Sequence, residues 1–592
     1  MPFAKPVTAS PVWLPAFLLS LLLHVGGAAR AQLVPYTPIV GEESDVLELL
    51  IRDGGRAGVH AGLRPLTFSD VVDIVGAADR TETPVNWAAE ATLARARIRL
   101  GELRSSGRDT LRGGIGGWAR RNFYRTRGYA IDLGADGFRF RANPVLQLRT
   151  GRQTDGGGYN FVNTRGVRLM GTIDERVYFQ TAIYENQQGL VSYAEEWRRA
   201  YGGQVPGAGF VKEFDPILYE LPRAVDYIQA TGEVGFRLTR HVHARLGHGN
   251  PEVGVGERSA ILGAFADPFL FAQIDTRLGR FHYRNLYAQL QDGIQTAQRV
   301  ERKFLVAHTL SLQLAPNWEF GLTEQTVFKR DNGFDAQYLN PVILYRAVEQ
   351  DNGSPDNALI GFHSNLIVGR SALLYGQFLF DELKFDELFL NGDKWWANKW
   401  SLQLGGRYVD AFGAAGLTVR AEVNAVRPFT YGHRFDGISF THYNQPLAHP
   451  WGASLSEVIV GADQWIGPRW RARAKFTRLR QDDIEFAPTP PGTPVGLRRP
   501  HIGANVLFDN NLRGIRTIDS EEFGDYGYTI AGSAPVTRQV IALTIQYLPF
   551  PGATLEAGYE YYRRAAGRAD ALVQHGLHLG VSLNAWKREG LF

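Results

Sequence analysis

Two rhythms of apolar and polar positions divide the chain. Up to about residue 125 the spacing is helical. "TFSDVVDIVGAAD" (67–79) and "PVNWAAEATLARARIRLGELR" (84–104) carry it, and the second sets Trp87, Ala91, Ala94 and Ile98 on one face. Ser69 or Asp70 suits the cap of the first helix, and Pro84 suits the first helical position of the second. From about residue 136 the period becomes two. "GLTVRAEVNAV" alternates Leu417, Val419, Ala421, Val423 and Ala425 with Thr418, Arg420, Glu422 and Asn424. "KWSLQLGGRY" sets Trp400, Leu402, Leu404 and Tyr408 against Ser401, Gln403 and Arg407. "RWRARAKFT" sets Trp470, Ala472, Ala474 and Phe476 against Arg469, Arg471, Arg473 and Lys475. "ATLEAGYEYY" opposes Leu555, Ala557, Tyr559 and Tyr561 to Glu556, Glu560 and Tyr562. A soluble sandwich also alternates. Here, however, the polar face is dense in full charges of both signs, which suits a lumen and a lipid-facing wall.

Turn lengths test this reading independently, because barrels of this kind keep short links on the periplasmic side and long ones outside. Tight links fall at 173–175, 239–241, 278–280, 315–317, 369–371, 412–416, 466–468 and 549–553. Longer polar links fall between them, at 152–159, 186–226, 250–268, 291–303, 329–358, 384–394, 428–454, 481–535 and 565–573. Eight tight and nine long links join 18 strands, an even number that returns the chain end to the periplasmic side. The expected fold is therefore an all-β transmembrane barrel of about 18 antiparallel strands over residues 129–592, preceded by a small α-helical periplasmic region over 32–128. Segment 500–508 is assigned to a long outer loop.

The N-terminus bears on location. "VWLPAFLLSLLL" (12–23) is too short to span a bilayer as a helix; Lys5 precedes it and "ARA" (29–31) follows. Residues 1–31 read as a signal peptide. The chain of 592 residues has no cysteine, which excludes disulfide staples and a lipid-modified cysteine. A net charge of +4 gives no case for nucleic acid. The end of the chain, "HLGVSLNAW" with terminal Phe592, resembles the signal read by the barrel-insertion machinery: Gly580, Leu583, Ala585 and Phe592 fit its glycine and spaced apolar positions.

Candidate chemistry is sparse. The chain has no G-x-S-x-G and no recognisable Ser/His pairing, and His308, His442 and His449 read as lumen or loop polar groups, so no enzyme is expected. "DELKFDEL" (381–388) reads as a solvated strand end and loop rather than a glycosidase pair, and "DNGSPDNA" (351–358) offers oxygen ligands of the kind calcium uses but not at the EF-hand spacing. The glycines of "GRQTDGGGYN" (151–160) lack the lysine of a phosphate loop. No cofactor or metal is implied. The outer loops are rich in aromatics beside amides and charges: Tyr193, Trp197 and Tyr201; Tyr338, Asn340 and Arg346; Trp395 and Trp396; then His442, Tyr443, Asn444, Gln445, His449 and Trp451 within "FTHYNQPLAHPW" (440–451). Such residues stack on sugar C–H faces and take hydroxyls, or wedge loops together.

"YLNPVILYRAVEQDNGSPDNALIGF" (338–362), "KWSLQLGGRYVDAF" (399–412), "VRPFTYGHRFDGISFTHYNQPLAHPWGAS" (426–454) and "GHGNPEVGVGERSAILGAFADPFLF" (247–271) resemble the capsule assembly protein Wzi family. Within it they are similar to the Bacteroidetes-type branch, which includes gliding-associated outer-membrane proteins. The resemblance implies an 18-stranded barrel in the outer-membrane lipid with a periplasmic helical part. It also implies a non-enzymatic, lectin-like hold on a surface polysaccharide, in capsule assembly or retention. Two other expectations stay open. One is an anion-preferring porin whose basic lumen face of Arg469, Arg471, Arg473 and Lys475 favours anions, with Arg407, Arg420, Glu422, Glu556 and Glu560 as further lumen charges; the other is a role in adhesion or gliding.

Overall fold

The computed structural model describes residues 43–80, 86–100 and 129–592, apart from 136, 155–157, 175, 214–223, 294–300, 332, 343, 354, 383–394, 435–436, 485–501, 509–524, 533–534, 568–569 and 586–590. The segment read as a signal peptide lies outside the described residues, as do 101–128 and most of the 381–388 acidic run.

Eighteen antiparallel strands close into one barrel. In chain order they are β1 (Phe138–Gln153), β2 (Gly158–Ile173), β3 (Val177–Gly189), β4 (Ala224–Arg237), β5 (Val242–Gly249), β6 (Phe269–Leu278), β7 (Phe281–Gln291), β8 (Arg302–Ala315), β9 (Trp318–Phe328) and β10 (Asn357–Val368). There follow β11 (Ala372–Glu382), β12 (Lys399–Val409), β13 (Leu417–Val426), β14 (Leu455–Ile466), β15 (Trp470–Gln481), β16 (Val536–Tyr547), β17 (Ala553–Ala566) and β18 (Leu572–Leu583). β18 closes the ring on β1 by pairing Leu583 with Leu146 through Gly576 with Gln153. A lead strand, Ile131–Ala135, continues that edge of β1 below it. Every strand-to-strand link matches one of the tight or long links counted from the sequence, because alternation and turn composition are local signals.

The wall is apolar outside and polar inside. On β13, Thr418, Glu422 and Asn424 are buried in the lumen while Val423 is exposed outward. Arg407, Arg420, Arg471, Arg473 and Lys475 also point inward, as do Glu556 and Glu560. Arg469 does not: it sits in the tight link before β15, where alternation has not begun, and reaches outward to the Tyr547 hydroxyl.

The lumen is filled from both ends. At the periplasmic end lie α1 (Glu43–Arg52), α2 (Phe68–Arg80) and α3 (Trp87–Leu100). α1 buries Val46, Leu49, Leu50 and Ile51 against Ile367, Leu373 and Val409 of the wall. Thr67, not Ser69 or Asp70, caps α2: its hydroxyl accepts from the Asp70 amide while the Asp70 carboxylate accepts from the Thr67 amide, a reciprocal box. Asn86 caps α3. The buried face of α3 is Ala88, Thr92 and Ala96, displaced from the predicted one because Arg95 turns inward to pair with Asp45. Arg277 grips Asp70 at 2.7 Å, Thr418 donates to Glu48, and Arg52 pairs with Asp410, so the helices are fastened to the wall.

From the extracellular end, residues 250–268, 427–434 and 437–454 dip inward. The two plugs meet: Leu63–Arg64 of the periplasmic plug pairs antiparallel with Glu252–Val253 of the extracellular one. At that junction the Gly62 amide donates to the Glu319 carboxylate of β9 at 3.0 Å. A Cβ on Gly62 would stand 2.7 Å from the His363 ring, so only glycine fits there without displacing the wall side chains. Above it, Arg258 makes a two-point bond to Glu457, and Glu422 accepts from the Glu257 and Arg258 amides. These charges are paired and hydrogen-bonded, as burial demands.

The loop between β9 and β10 takes an unexpected course. It folds down the outside of the wall. Its short helix α5, Tyr345–Asp351, follows α4, Ser192–Ala200, in chain order, and α4 lies inside the lumen. Asn285, His308 and Glu324 form one register row across β7, β8 and β9, on the outward face. His308 is thus a wall residue, neither lumen nor loop. The descending loop covers the row. Glu324 accepts from the Tyr345 and Arg346 amides at the start of α5, and Tyr283 and Asn285 donate to the Pro341 carbonyl. The Tyr345 ring lies 3.8 Å from that of His308. Polar backbone at membrane depth is tolerated because the wall supplies its partners.

Candidate functional site

The eleven residues singled out as saccharide contacts fall in four places. Tyr338, Asn340 and Arg346 are on the outside flap, where Tyr338 is fully buried, stacked on Phe328 and bonded to Asp356. Trp395 and Trp396 lie at the mouth beside Phe429, with the Trp395 carbonyl taken by Arg427. Gln445, His449 and Trp451 are buried inside: Gln445 accepts from the Gly207 amide, His449 bonds Glu457, and Trp451 donates to the Leu591 carbonyl. Tyr193, Trp197 and Tyr201 join them in the lumen interior, with Trp197 stacked on Tyr201 and donating to the Pro450 carbonyl. Packing takes these side chains because aromatics with one polar atom seal a wet interior well.

His442, Tyr443 and Asn444 are placed differently. Thr441–His442 and Gln445–Pro446 form a two-stranded hairpin whose turn is Tyr443-Asn444. Both turn residues are left-handed, with φ of 49° and 60°, the primed turn that suits a tight hairpin. A tyrosine there carries backbone strain that glycine would not. The hairpin is locked. The Lys303 ammonium donates to the Ser439 carbonyl and Thr441 hydroxyl, and the Gln291 amide donates to His442 Nδ1 at 2.9 Å. That nitrogen therefore carries no proton, and burial pushes the His442 pKa down to about 3. The Tyr443 amide in turn donates to the Gln291 carbonyl, so the turn lies against the top of β7.

What the turn faces is a notch in the wall. β5 is short and ends at Gly249, where Asn250 and Pro251 take the chain inward. It pairs with β4 only over Gly232–Arg237. Higher up, Lys212–Glu213 pairs with Val225–Asp226. Between these, residues 227–231 of β4 have no strand partner on that edge among the described residues. The Ala230 carbonyl is met by His248 Nδ1 at 2.9 Å instead, as an edge in a wall requires. The notch is a cleft of about 540 Å³, within the range of small-molecule sites. Phe210, Tyr227 and Tyr443 supply aromatic faces, Asp226, Asp267 and Lys212 charges, and Gln229, Gln289 and Gln291 amides. Gln229 is held from within by donating to the Gly207 carbonyl. Burial, with Asp267 nearby, raises the Tyr443 pKa, so the phenol stays protonated and able to donate.

The set can stack on a ring and bond hydroxyls from several directions. Sequence reading found His442 and Tyr443 but missed Phe210, Lys212, Asp226, Gln229 and Asp267. A signal that could have led to them is the truncated strand, "GHGNP" (247–251), where alternation stops after eight residues.

The chain-end residues read as an insertion signal divide. β18 ends at Leu583; Asn584 turns left-handed and its amide donates to the Gly552 carbonyl. Ala585 packs inward on Val145 and Tyr184, and Phe592 lies in the lumen against Tyr193 and Trp451. Phe592 is thus not part of the last strand.

Neither a family model nor a curated protein sequence matches the chain. Among solved structures, the chain resembles Wzi of Escherichia coli, described as an outer-membrane protein involved in group 1 capsule assembly and a carbohydrate-binding β-barrel. The TM-score is 0.50 at 12% identity, covering 91% of this chain and 98% of that one. It also matches OprD of Pseudomonas aeruginosa (TM-score 0.38, 12% identity, 75% and 94% covered) and OpdK of the same organism with vanillate (0.38, 9%, 75% and 98%). At these identities the likeness shows the fold alone: the protein is a β-barrel of the outer-membrane type.

Proposed function

We propose that this protein binds a surface polysaccharide at its extracellular side and holds or organises it on the cell, without catalysis, as a capsule assembly barrel of the Wzi type. The observation that carries the reading is the pairing of a filled lumen with an outward-facing cleft. The two plugs are hydrogen-bonded to each other inside the barrel, so the chain's own residues occupy the space a solute would cross. The cleft meanwhile offers aromatic faces, amides and carboxylates around Tyr443. Wzi, which has this fold, is described as carbohydrate-binding, and that supports the same class of ligand here.

The porin reading rests on the inward basic face of β15. Asp463 is bonded to Arg420, Arg471 and Arg473, and Glu257 of the plug to Arg420 and Lys475. Two carboxylates hold four cations, so the face keeps a positive excess, but Arg420 and Lys475 are tied to the plug itself through Glu257; the filled lumen, rather than the charge, favours the binder over the porin. The test is binding of purified surface polysaccharide to the protein in nanodiscs, with Tyr443→Ala and Asp267→Asn as variants. Saturable binding lost in Tyr443→Ala supports the reading; no binding by the wild type sinks it.

A further inference from the structure

The cleft does not open only upward. Ile228 stands nine residues above Arg237, the last residue of β4. At about 3.3 Å per residue and a tilt near 40°, that is roughly 23 Å above the periplasmic rim, close to the outer edge of an apolar band about 25 Å tall. Ile228 marks the upper part of the cleft; the lower lip, where pairing with β5 resumes at Gly232, is five residues above Arg237 and roughly 13 Å up, within the band, so the cleft runs from the medium down into the hydrocarbon. Outside, Ile228 is 71% exposed; the outward row at the lower lip, Gly232, His248, Leu270 and Gln289, is mixed, and the row beneath it, with Val234, Leu246 and Ala272, is apolar. Inside, the cleft is lined by Gln229, Asp267 and Tyr443, with Lys212 at the upper rim. One opening thus joins a hydrogen-bonding interior to a hydrocarbon-facing wall.

A bare polysaccharide arriving from the medium makes no use of the outer lip, and a free fatty acid makes no use of the amides. A molecule with sugars at one end and acyl chains at the other uses both. Resting on the reading that this site binds saccharide, we propose that the ligand is an acylated glycan: its first sugars sit in the cleft and its acyl chains lie down the wall over Ile228, Leu270 and Leu246. The shared chemistry comes from lipopolysaccharide or from a capsular polysaccharide with a lipid terminus.

The experiment uses the full chain in phosphatidylethanolamine–phosphatidylglycerol nanodiscs. Four probes are compared: lipopolysaccharide, the same material after alkaline deacylation, lipid-terminated capsular polysaccharide, and its deacylated form. At least one acylated probe should bind about tenfold or more tightly than its deacylated form. The double variant Ile228→Ser/Leu270→Ser changes only exposed side chains. It should bring the acylated probe down to the deacylated level and leave the deacylated probe unchanged, while Tyr443→Ala weakens both. Which acylated probe binds names the source. Equal affinity before and after deacylation, or indifference to the serine pair in correctly inserted protein, overturns the proposal but leaves saccharide binding standing. No binding of any probe overturns the saccharide reading itself.

Discussion

At the scale of single residues, the cleft turns on Tyr443 and the imidazole beneath it. Tyr443 holds a left-handed backbone that glycine adopts freely. Tyr443→Gly should relieve about 1 kcal/mol of strain while removing the stacking face. The protein should unfold no more easily, yet lose polysaccharide binding; a variant that still binds would leave Tyr443 a packing residue only. His442 sets a pH limit. Its pKa is depressed from the ordinary 6.5 to about 3, so the unfolded state takes up a proton that the fold refuses. The stability it contributes is full above about pH 6.5 and is lost as pH falls from there toward 3. By pH 5 the hairpin should be weaker by about 2 kcal/mol. Hydrogen exchange at the Gln291 and Tyr443 amides, corrected for intrinsic rate, reads this directly; equal protection at pH 7.5 and pH 5 would contradict it. The sequence showed His442 and Tyr443 as chemically rich. It did not show that neighbouring Gln445, His449 and Trp451 point the other way, because partners such as Gly207 and Leu591 are far off along the chain.

At the scale of elements, strands were legible and the two departures from strand were not. Alternation and turn length are local, so all 18 strands could be counted before any contact was known. The outside flap depends on a row, Asn285, His308 and Glu324, that exists only once three strands are in register. Each residue alone looks like a single polar interruption. The flap presents Leu339, Val342 and Leu344 away from the wall, with Val342 81% exposed. These side chains should lie in lipid. As the chain has no cysteine, Val342→Cys is a unique label. In liposomes it should be shielded from a charged, membrane-impermeant thiol reagent and quenched by a lipid-borne quencher; rapid labelling from water would place the flap outside the bilayer. Glu324→Ala removes the acceptor for two amides of α5, each costing on the order of 1–3 kcal/mol when left unmet. It should restore aqueous labelling at Val342→Cys.

At the scale of the whole molecule, the proposed function makes the barrel a frame for a cleft rather than a conduit. Its inward charges suggested water in sequence; in the fold they meet plug residues hundreds of positions away, as Glu48 meets Thr418 and Asp70 meets Arg277. No pattern within one strand could reveal that. In planar bilayers the wild type should show no large steady conductance, whereas Gly62→Leu, which forces a side chain into the space of the His363 ring, should loosen the junction and admit ions. A large steady open state of the wild type would revive the porin. The central claim concerns what the frame is for, and cells test it most directly. In a clean deletion, cell-bound and shed polysaccharide are measured after complementation with the wild type or with Tyr443→Ala. The account predicts that the deletion sheds polysaccharide, that the wild type restores retention, and that an inserted Tyr443→Ala does not; unchanged retention in the deletion would contradict it.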